Sequence, residues 1–299
     1  MSDLSSSFRA TILPDRGVLR LSGADVRDFL QGLVTANVEG VASGKAVYAA
    51  LLTPQGKFLF DFFIVEDSEG RFLLDCEGSR ADALVRRLTM YKLRAKVEIE
   101  NLSATHAVLA LWGGAPAAAP EGGAIFADPR LAALGFRAIL PRSEAGGFIA
   151  AAGASEATPE DWHRHRLSLG VGDATQDFEP EKSFPLELNF DELHAIDFKK
   201  GCYVGQEVTS RTKRRGSVRK RLMPCAIEGP LPAPGTPVMA GSRQAGTVYS
   251  GDEAAGRVLA LLRLDLITGQ TLLAGETELT PEVPDWAGFE LGATADAED

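Results

Sequence analysis

The chain has 299 residues, roughly twice the ~100–200 of a single domain, so we expect two or three domains. Hydrophobic residues make up 45% and charged residues 24% of the sequence, a globular composition that excludes a disordered chain, a coiled coil and a collagen-like fibre. With 31 basic and 41 acidic side chains, the formal net charge is −10, so any contact with nucleic acid requires a local basic patch.

The sequence lacks signals for export, for membrane insertion and for a cysteine-rich metal site. Its three cysteines, Cys76, Cys202 and Cys225, are far apart and form no Cys-x-x-Cys pair, which disfavours a disulfide framework and a zinc site. Met1–Phe8 has neither the pattern of a signal peptide nor an Arg-rich transit composition, and no stretch approaches the ~20 apolar residues of a membrane span. We therefore expect a soluble, cytoplasmic protein with no metal and no membrane contact.

In the first half of the chain, the apolar pattern predicts strands with few helices between them. Gly17–Ser22 alternates as a strand, and the spacing of apolar residues from Val26 to Leu33 predicts a helix. Further on, a helix over Ser79–Tyr91 is expected among four strands, Val47–Leu52, Phe58–Glu66, Phe72–Cys76 and Val97–Glu100. A single helix within a series of strands favours an α+β layer over a doubly wound sheet.

The second half begins with a helix and ends in short strands. Thr158 precedes Pro159, Glu160 and Asp161, a combination of capping residue, N1 proline and first-turn acids that predicts a helix start. His163 and His165 in this helix point ~200° apart and cannot share a metal, so we expect exposed histidines. Near the C-terminus, a small antiparallel barrel is predicted by three short strands, Gly246–Ser250, Val258–Leu264 and Glu276–Thr280.

The densest chemical signal is Lys199–Glu207, with the sequence KKGCYVGQE. Its two glycines allow the backbone to approach a ligand or another strand closely, and the two lysines place positive charge beside the thiol of Cys202. If Gly205-Gln206-Glu207 opens a helix, the helix dipole adds to that charge, and such surroundings lower the pKa of a thiol. The alternative is a small apolar cysteine packed in a core strand, since no nearby histidine supplies a base.

A second signal is the basic run Arg211–Arg221, which has seven cations and no acid. Such a patch on an acidic protein is suited to hold a polyanion, such as a polyglutamyl tail, phosphate or RNA. A solvated linker between units has the same composition. The sequence contains no P-loop, no Gly-x-Gly-x-x-Gly after a strand and no Gly-x-Ser-x-Gly elbow, which disfavours nucleotide hydrolases, dinucleotide oxidoreductases and α/β-hydrolases.

Lys200–Glu207 resembles the signature K-G-C-Y-x-G-Q-E of the YgfZ-type folate-binding proteins. These proteins are an iron–sulfur cluster maturation branch of the superfamily of the glycine-cleavage aminomethyltransferase, or T-protein. The match is specific, because all eight positions of the signature fit. Further resemblance comes from Phe29–Val38, Leu52–Ile64 and Pro185–Asn189, and the likeness extends over most of the chain.

The resemblance implies an α+β fold. This fold is a three-lobed ring in which two α/β (ferredoxin-like) lobes and a C-terminal antiparallel β-barrel surround a central folate cavity. The first lobe would comprise residues 1–44 plus 150–218 and carry the signature. The second α+β lobe would comprise residues 45–149, and the barrel residues 219–299.

The resemblance also implies which residues act. Cys202 matches the signature cysteine and is the candidate functional thiol. Trp162 falls where the family places an aromatic ring against the folate. Glu187 falls near the T-protein carboxylate that contacts the amino edge of the pterin, where a carboxylate can accept two N–H bonds side by side. Arg211 would pair with the glutamate tail of the folate. The other folate-binding candidates are Asn189, Lys200, Gly201, Tyr203, Gly205, Gln206 and Glu207.

One position departs from the T-protein pattern. T-protein uses an aspartate in a hairpin to help position the amine, and here Phe60 falls at that place, with Asp61 one residue further along. A shift of one residue in a strand moves a side chain to the opposite face. Aminomethyl transfer of the glycine-cleavage type is therefore not expected.

The function implied is that of a tetrahydrofolate-binding accessory protein for the maturation or repair of iron–sulfur proteins, with an indirect effect on tRNA modification. The cofactor would be tetrahydrofolate or a one-carbon derivative, and the partners iron–sulfur client or assembly proteins. Two alternatives stay open: a folate-dependent aminomethyl or one-carbon transferase or demethylase, and a tRNA-binding module that uses Arg211–Arg221. The sequence leaves open whether the protein is an enzyme.

Overall fold

The computed structural model describes residues 7–116, 123–216 and 218–289. The chain forms two compact units. The first unit comprises Met1–Thr53, Leu59–Trp162 and Leu193–Val204, and the second comprises Pro54–Phe58, His163–Glu192 and Gly205–Asp299. The division into three lobes, with boundaries after residues 44, 149 and 218, stays a prediction.

The first unit contains two five-stranded sheets. In one sheet, neighbouring strands lie in the order Ser155–Glu156, Arg9–Ile12, His106–Trp112, Phe136–Pro141 and Ala124–Ala127. The first pair is parallel and the other pairs are antiparallel. Helix Ala145–Ala151 packs on one face of this sheet, where it covers alternate apolar side chains such as Leu109 and Leu140.

The second sheet has the strand order Val47–Leu52, Phe58–Glu66, Phe72–Glu77, Arg16–Ser22 and Glu98–Asn101. Helices Val26–Gln31 and Ala81–Lys92 cover one face and bury a core that includes Phe60 and Phe62. Because side chains alternate along a strand, Asp61 points to the opposite face.

That opposite face holds a buried cluster of charges, to which the first sheet also contributes. Asp75 accepts a hydrogen bond from Arg16 Nε at 2.6 Å and another from Arg137 Nη1. Asp128 accepts two hydrogen bonds from the Arg130 guanidinium, at 2.9 and 2.7 Å, one from the Arg130 N–H at 3.1 Å and one from Arg137 Nε at 3.3 Å. Arg137 therefore joins the two aspartates, and each buried charge has an opposite partner, as the interior of a protein requires.

An aromatic ring and a third carboxylate complete this cluster. The guanidinium carbon of Arg137 lies 4.1 Å from the centre of the Phe63 ring, a cation–π distance. Tyr48 Oη donates a hydrogen bond of 2.8 Å to Asp61. The charged members balance as three cations and three anions, all buried: Arg16, Arg130, Arg137, Asp61, Asp75 and Asp128.

The second unit contains a closed barrel of antiparallel strands. Neighbouring strands follow the order Lys220–Glu228, Arg257–Arg263, Arg243–Asp252, Pro237–Ala240, Leu272–Ala274 and Thr277–Pro281. Small and branched apolar side chains such as Val248 and Ala260 fill the interior, and the short helix Leu264–Ile267 packs against them. The α+β fold with a small C-terminal barrel, which the sequence predicts, is confirmed.

Helix Pro159–Ser168 begins where the sequence predicts. Thr158 Oγ1 accepts a hydrogen bond from the Asp161 N–H at 3.2 Å, and Asp161 Oδ2 accepts one from the Thr158 N–H at 3.1 Å. This reciprocal pair is a capping box, with aspartate in place of the usual glutamate.

His163 corrects the expectation of exposed histidines, because it is half-buried and hydrogen-bonded. Its Nδ1 lies 2.9 Å from Arg166 Nη2 and its Nε2 lies 3.2 Å from Gly251 O. A guanidinium only donates, so Nδ1 accepts and Nε2 carries the proton. Desolvation, and then the charge of Arg166, lower the pKa of His163, which keeps the ring neutral at pH 7.

The described residues show neither a membrane-spanning helix nor a cluster of metal-ligating side chains. None of their helices is both long enough and apolar enough to cross a membrane. Within the same residues, no group of three or more histidine, cysteine, aspartate or glutamate side chains is placed to hold a metal ion.

Candidate functional site

The signature segment is anchored in the first unit through Lys200. Its Nζ donates hydrogen bonds to the carbonyl oxygens of Val34 and Ala36, both at 2.6 Å, and the side chain is buried. Thr35, which lies between those carbonyls, donates its hydroxyl to Ala195 O at 2.6 Å. The signature loop is therefore fixed to the segment that follows the first helix.

The ammonium of Lys200 is held at an electrostatic cost. Desolvation lowers the pKa of Lys200 to about 8, although the charges of Asp197 and Glu39 act in the opposite direction. The ammonium also lies 5.5 Å from the centre of the Tyr203 ring, within cation–π range. Tyr203 is buried, desolvation raises its pKa to about 12, and its hydroxyl has no hydrogen-bond partner among the described residues.

Cys202 has an exposed thiol, whereas the other two cysteines are buried. Desolvation raises the pKa of Cys76 to about 12 and also raises that of Cys225, which disfavours the reactive thiolate form of both. The neighbouring Gly201 is open, because a Cβ there would meet no atom within 4 Å. The alternative of a Cys202 packed in a core strand is therefore excluded.

The signature continues into a helix of the second unit, so the condition stated above for Gly205-Gln206-Glu207 is met. Helix Gln206–Arg214 begins after Gly205, whose φ of 82° is in the left-handed region that favours glycine. Glu207 is exposed in the first turn, where a negative charge complements the helix dipole.

The second unit has a cavity of about 450 Å³ beside Glu187. Apolar side chains such as Phe184 and Val208 form its walls. Glu187 is half-buried, and desolvation raises its pKa, although the charge of Lys220 acts in the opposite direction. The cations that line this Glu187 cavity are Arg219, Lys220 and Arg263.

Six of the seven cations in the basic run Arg211–Arg221 are exposed, and the seventh, Arg221, is buried. Arg221 pairs with Asp191 at 2.7 Å, and Lys213 pairs with the same carboxylate at 2.8 Å. Two more cations of the run line the Glu187 cavity. Among the described residues, the exposed cations on the helix or just after it that form no ion pair are Arg211, Arg214 and Arg215.

Two predicted folate residues are buried within their own units. Asn189 is buried in the second unit, and its Nδ2 donates a hydrogen bond of 2.7 Å to Leu222 O. Trp162 is buried in the first unit and packs on Trp112, with 5.5 Å between ring centres. Four other candidates, Lys200, Gly201, Cys202 and Tyr203, are consecutive residues of the first unit. The roles of all six residues toward a ligand stay predictions.

The departure from the T-protein pattern has a structural counterpart in the first unit. Phe60 is buried on the helix-covered face, where the guanidinium carbon of Arg80 lies 4.2 Å from its ring centre. Asp61 is on the opposite face, inside the charge cluster, and accepts the hydrogen bond of Tyr48. Phe60 has no carboxylate and the carboxylate of Asp61 is buried. Neither position therefore offers an accessible carboxylate for amine chemistry.

Two family models match the chain: the GCVT N-terminal domain over residues 16–133 and the CAF17 C-terminal beta-barrel domain over residues 219–289. Among solved structures, the glycine cleavage system aminomethyltransferase T from Bartonella henselae has the same fold. Its TM-score is 0.76 at 16% identity, with 94% of this chain and 87% of that chain covered. These findings define a protein of the aminomethyltransferase superfamily with a CAF17-type C-terminal barrel.

Sequence relatives narrow this class. The mitochondrial iron–sulfur cluster assembly factor IBA57 of Mus musculus is 36% identical over 313 residues, with 92% of this chain and 84% of the relative covered. The IBA57 homolog of Mycosarcoma maydis is 37% identical over 236 residues, and this match spans 75% of this chain but 58% of the relative. The chain belongs to the family of IBA57 iron–sulfur cluster assembly factors.

The prediction of a cytoplasmic location is wrong. The matching IBA57 proteins of Mycosarcoma maydis, Mus musculus and Homo sapiens are mitochondrial. An acidic globular composition without a long apolar run is common to proteins of the cytoplasm and of the mitochondrial interior. Those features therefore do not distinguish the two compartments.

Proposed function

We propose that this protein acts in iron–sulfur cluster assembly and that it acts through the thiol of Cys202. The proposal is carried by one observation in a chain of the IBA57 family: an exposed cysteine on a loop that Lys200 fixes in place. Iron–sulfur clusters are held by cysteine thiolates, generally four of them. The other ligands are therefore expected to come from a partner protein or a small thiol.

Cys202→Ser is expected to lower the delivery of clusters to client enzymes. In cells that lack the native gene, the activity of a four-iron enzyme should fall about fivefold or more, because serine keeps the size of cysteine but not its soft sulfur ligand. The measurements are client activity and client iron content, both normalised to the amount of variant protein.

Cys76→Ala is the matched control for this experiment. It removes a buried thiol and costs about 1 kcal/mol of stability through lost packing, but leaves Cys202 in place. Client activity should therefore persist in Cys76→Ala despite its lower stability. Full client activity in Cys202→Ser would contradict the proposed role of the thiol.

We further propose that the Glu187 cavity takes tetrahydrofolate or a one-carbon derivative. The Glu187 carboxylate would accept N–H bonds from the amino edge of the pterin, and Phe184 and Val208 would hold the ring between apolar walls. Arg219 and Arg263 suit the carboxylates of the glutamate tail. A bound folate supplies a carrier for one-carbon groups. The GCVT N-terminal domain match and the YgfZ-type signature both support this ligand.

Glu187→Gln should weaken tetrahydrofolate binding about 10- to 100-fold, since a hydrogen bond to a charged group contributes roughly 1.5–3 kcal/mol. Anaerobic titration calorimetry measures the loss. In the wild type, affinity should also fall as the pH drops through the raised pKa of Glu187, because protonation removes the anionic acceptor. The glutamine variant should lack that part of the pH dependence.

Glu228→Gln controls for the loss of one negative charge. Glu228 is exposed at the end of a barrel strand and does not line the Glu187 cavity, so its replacement should leave the affinity unchanged. No saturable binding at millimolar tetrahydrofolate would overturn the folate proposal and leave the Cys202 experiment unaffected.

The described residues do not favour two other functions. Aminomethyl transfer of the glycine-cleavage type would need an accessible carboxylate, and positions 60 and 61 do not supply one, because Asp61 is buried. An effect on tRNA would depend on Arg211–Arg221, in which Arg221 is buried and Lys213 is paired with Asp191. A one-carbon transferase or demethylase would use the Glu187 cavity, and methylene-tetrahydrofolate formed from an amine donor would identify it.

A further inference from the structure

We infer that the tip that follows helix Ala81–Lys92 is a docking surface for an acidic partner protein. Two large apolar side chains are exposed at this tip, Leu93 by 88% and Met90 by 70%. In the described part of the chain, the next most exposed large apolar side chain is Leu273, at 42%. This inference does not depend on the proposed roles of Cys202 and folate.

The backbone holds Leu93 outward in an unfavourable conformation. Its φ is 45°, in the left-handed region that leucine rarely adopts. Two hydrogen bonds fix the tip: the Ala95 N–H donates to Lys92 O at 2.8 Å, and the Lys96 N–H donates to Asp25 Oδ2 at 2.7 Å. Strain that the surroundings maintain at an exposed residue points to function, because packing within the chain does not reward it.

The tip also concentrates positive charge on an acidic protein. Residues 86–96 contain five cations and no acid, whereas the whole chain has a net charge of −10. Within the residues that the structure describes, these cations form no ion pair, so they remain available to a partner: Arg86, Arg87, Lys92, Arg94 and Lys96. An apolar pair among unpaired cations is complementary to an apolar pocket rimmed by acidic side chains.

Two observations favour a protein over an anionic membrane. A fluid bilayer does not need one apolar side chain at a fixed, strained position, whereas a pocket in a protein does. The strand that follows the tip, Glu98–Asn101, also presents the exposed acids Glu98 and Glu100, which an anionic bilayer would repel. A shaped protein surface can contact the cations and avoid these acids.

The test begins with a photo-reactive p-benzoylphenylalanine at position 93 in cells that produce the full chain. We expect one discrete protein adduct at position 93 and none from the same probe at position 273, where Leu273 is also exposed. The captured protein is identified by mass spectrometry and purified, and calorimetry then measures its affinity for this chain.

Leu93→Gly separates docking from folding. Glycine relieves the left-handed strain, so the midpoint of thermal unfolding should be no lower than that of the wild type, while the affinity for the purified partner should fall about tenfold or more. Leu93→Met should retain most of the affinity, and Arg94→Glu should weaken binding in a salt-sensitive way.

Three results would overturn the inference. One is the absence of an adduct at position 93, and another is an unchanged affinity in Leu93→Gly. The third is binding of the wild type to vesicles of phosphatidylcholine and phosphatidylglycerol that Leu93→Gly abolishes, which would identify the tip as a membrane contact.

Discussion

Asp75→Asn is expected to lower the free energy of unfolding by about 3–5 kcal/mol, because removing one partner of a buried ion pair leaves uncompensated charge. Asp75 is fully buried and accepts hydrogen bonds from both Arg16 and Arg137. An amide oxygen can accept one of these bonds, but the amide nitrogen then faces a guanidinium. Urea unfolding followed by circular dichroism measures the loss.

Asp15→Asn is the matched control, since Asp15 is exposed and forms no side-chain ion pair with a described residue. Its replacement should change the stability by less than about 0.5 kcal/mol. A double variant, Asp75→Leu with Arg137→Leu, should recover part of the loss, because removing one anion together with one cation restores the charge balance of the buried cluster. A loss below about 1 kcal/mol for Asp75→Asn would show that the two arginines find other compensation.

The apolar pattern predicts the strands and helices because each of them buries one face. Strands Val47–Leu52 and Phe58–Glu66 have the predicted bounds, and the predicted helix Ser79–Tyr91 is observed as Ala81–Lys92. The charge cluster escapes this reasoning. An aspartate inside the apolar strand Phe72–Glu77 is a visible signal, but its partner Arg137 lies 62 residues away, and no local period connects the two.

The candidate site, like the fold, is predicted from the sequence only in part. The order of residues in the signature is sufficient to identify Cys202 and Lys200. From the sequence alone, Lys200 is interpreted as a positive charge beside the Cys202 thiol. In the structure its ammonium instead holds the carbonyls of Val34 and Ala36, which are 166 and 164 residues away. The composition of a basic run likewise cannot separate a buried cation such as Arg221 from an exposed one such as Arg214, because burial is decided by segments distant in the chain.

Lys200→Met is expected to destabilise the protein by about 2–4 kcal/mol, since two buried carbonyl oxygens lose a charged donor. The loop that carries Cys202 should then lose its fixed position. We therefore expect a changed rate of reaction between the Cys202 thiol and an aromatic disulfide, and a loss of client activity comparable to that of Cys202→Ser. Unfolding in urea and stopped-flow thiol titration measure the two effects on purified protein.

Lys199→Met removes the same charge from the exposed neighbour and should leave the stability unchanged and the thiol reaction rate much less affected than Lys200→Met does. The pH dependence adds a second criterion. The pKa of Lys200 is lowered from 10.5 to about 8, so the unfolded chain binds more protons than the folded chain between these values, and the contribution of Lys200 to stability rises with pH across that window. The stability difference between wild type and Lys200→Met should therefore grow from pH 8 toward pH 10. If Lys200→Met matched Lys199→Met in stability and in thiol reactivity, Lys200 would not be the anchor of the Cys202 loop.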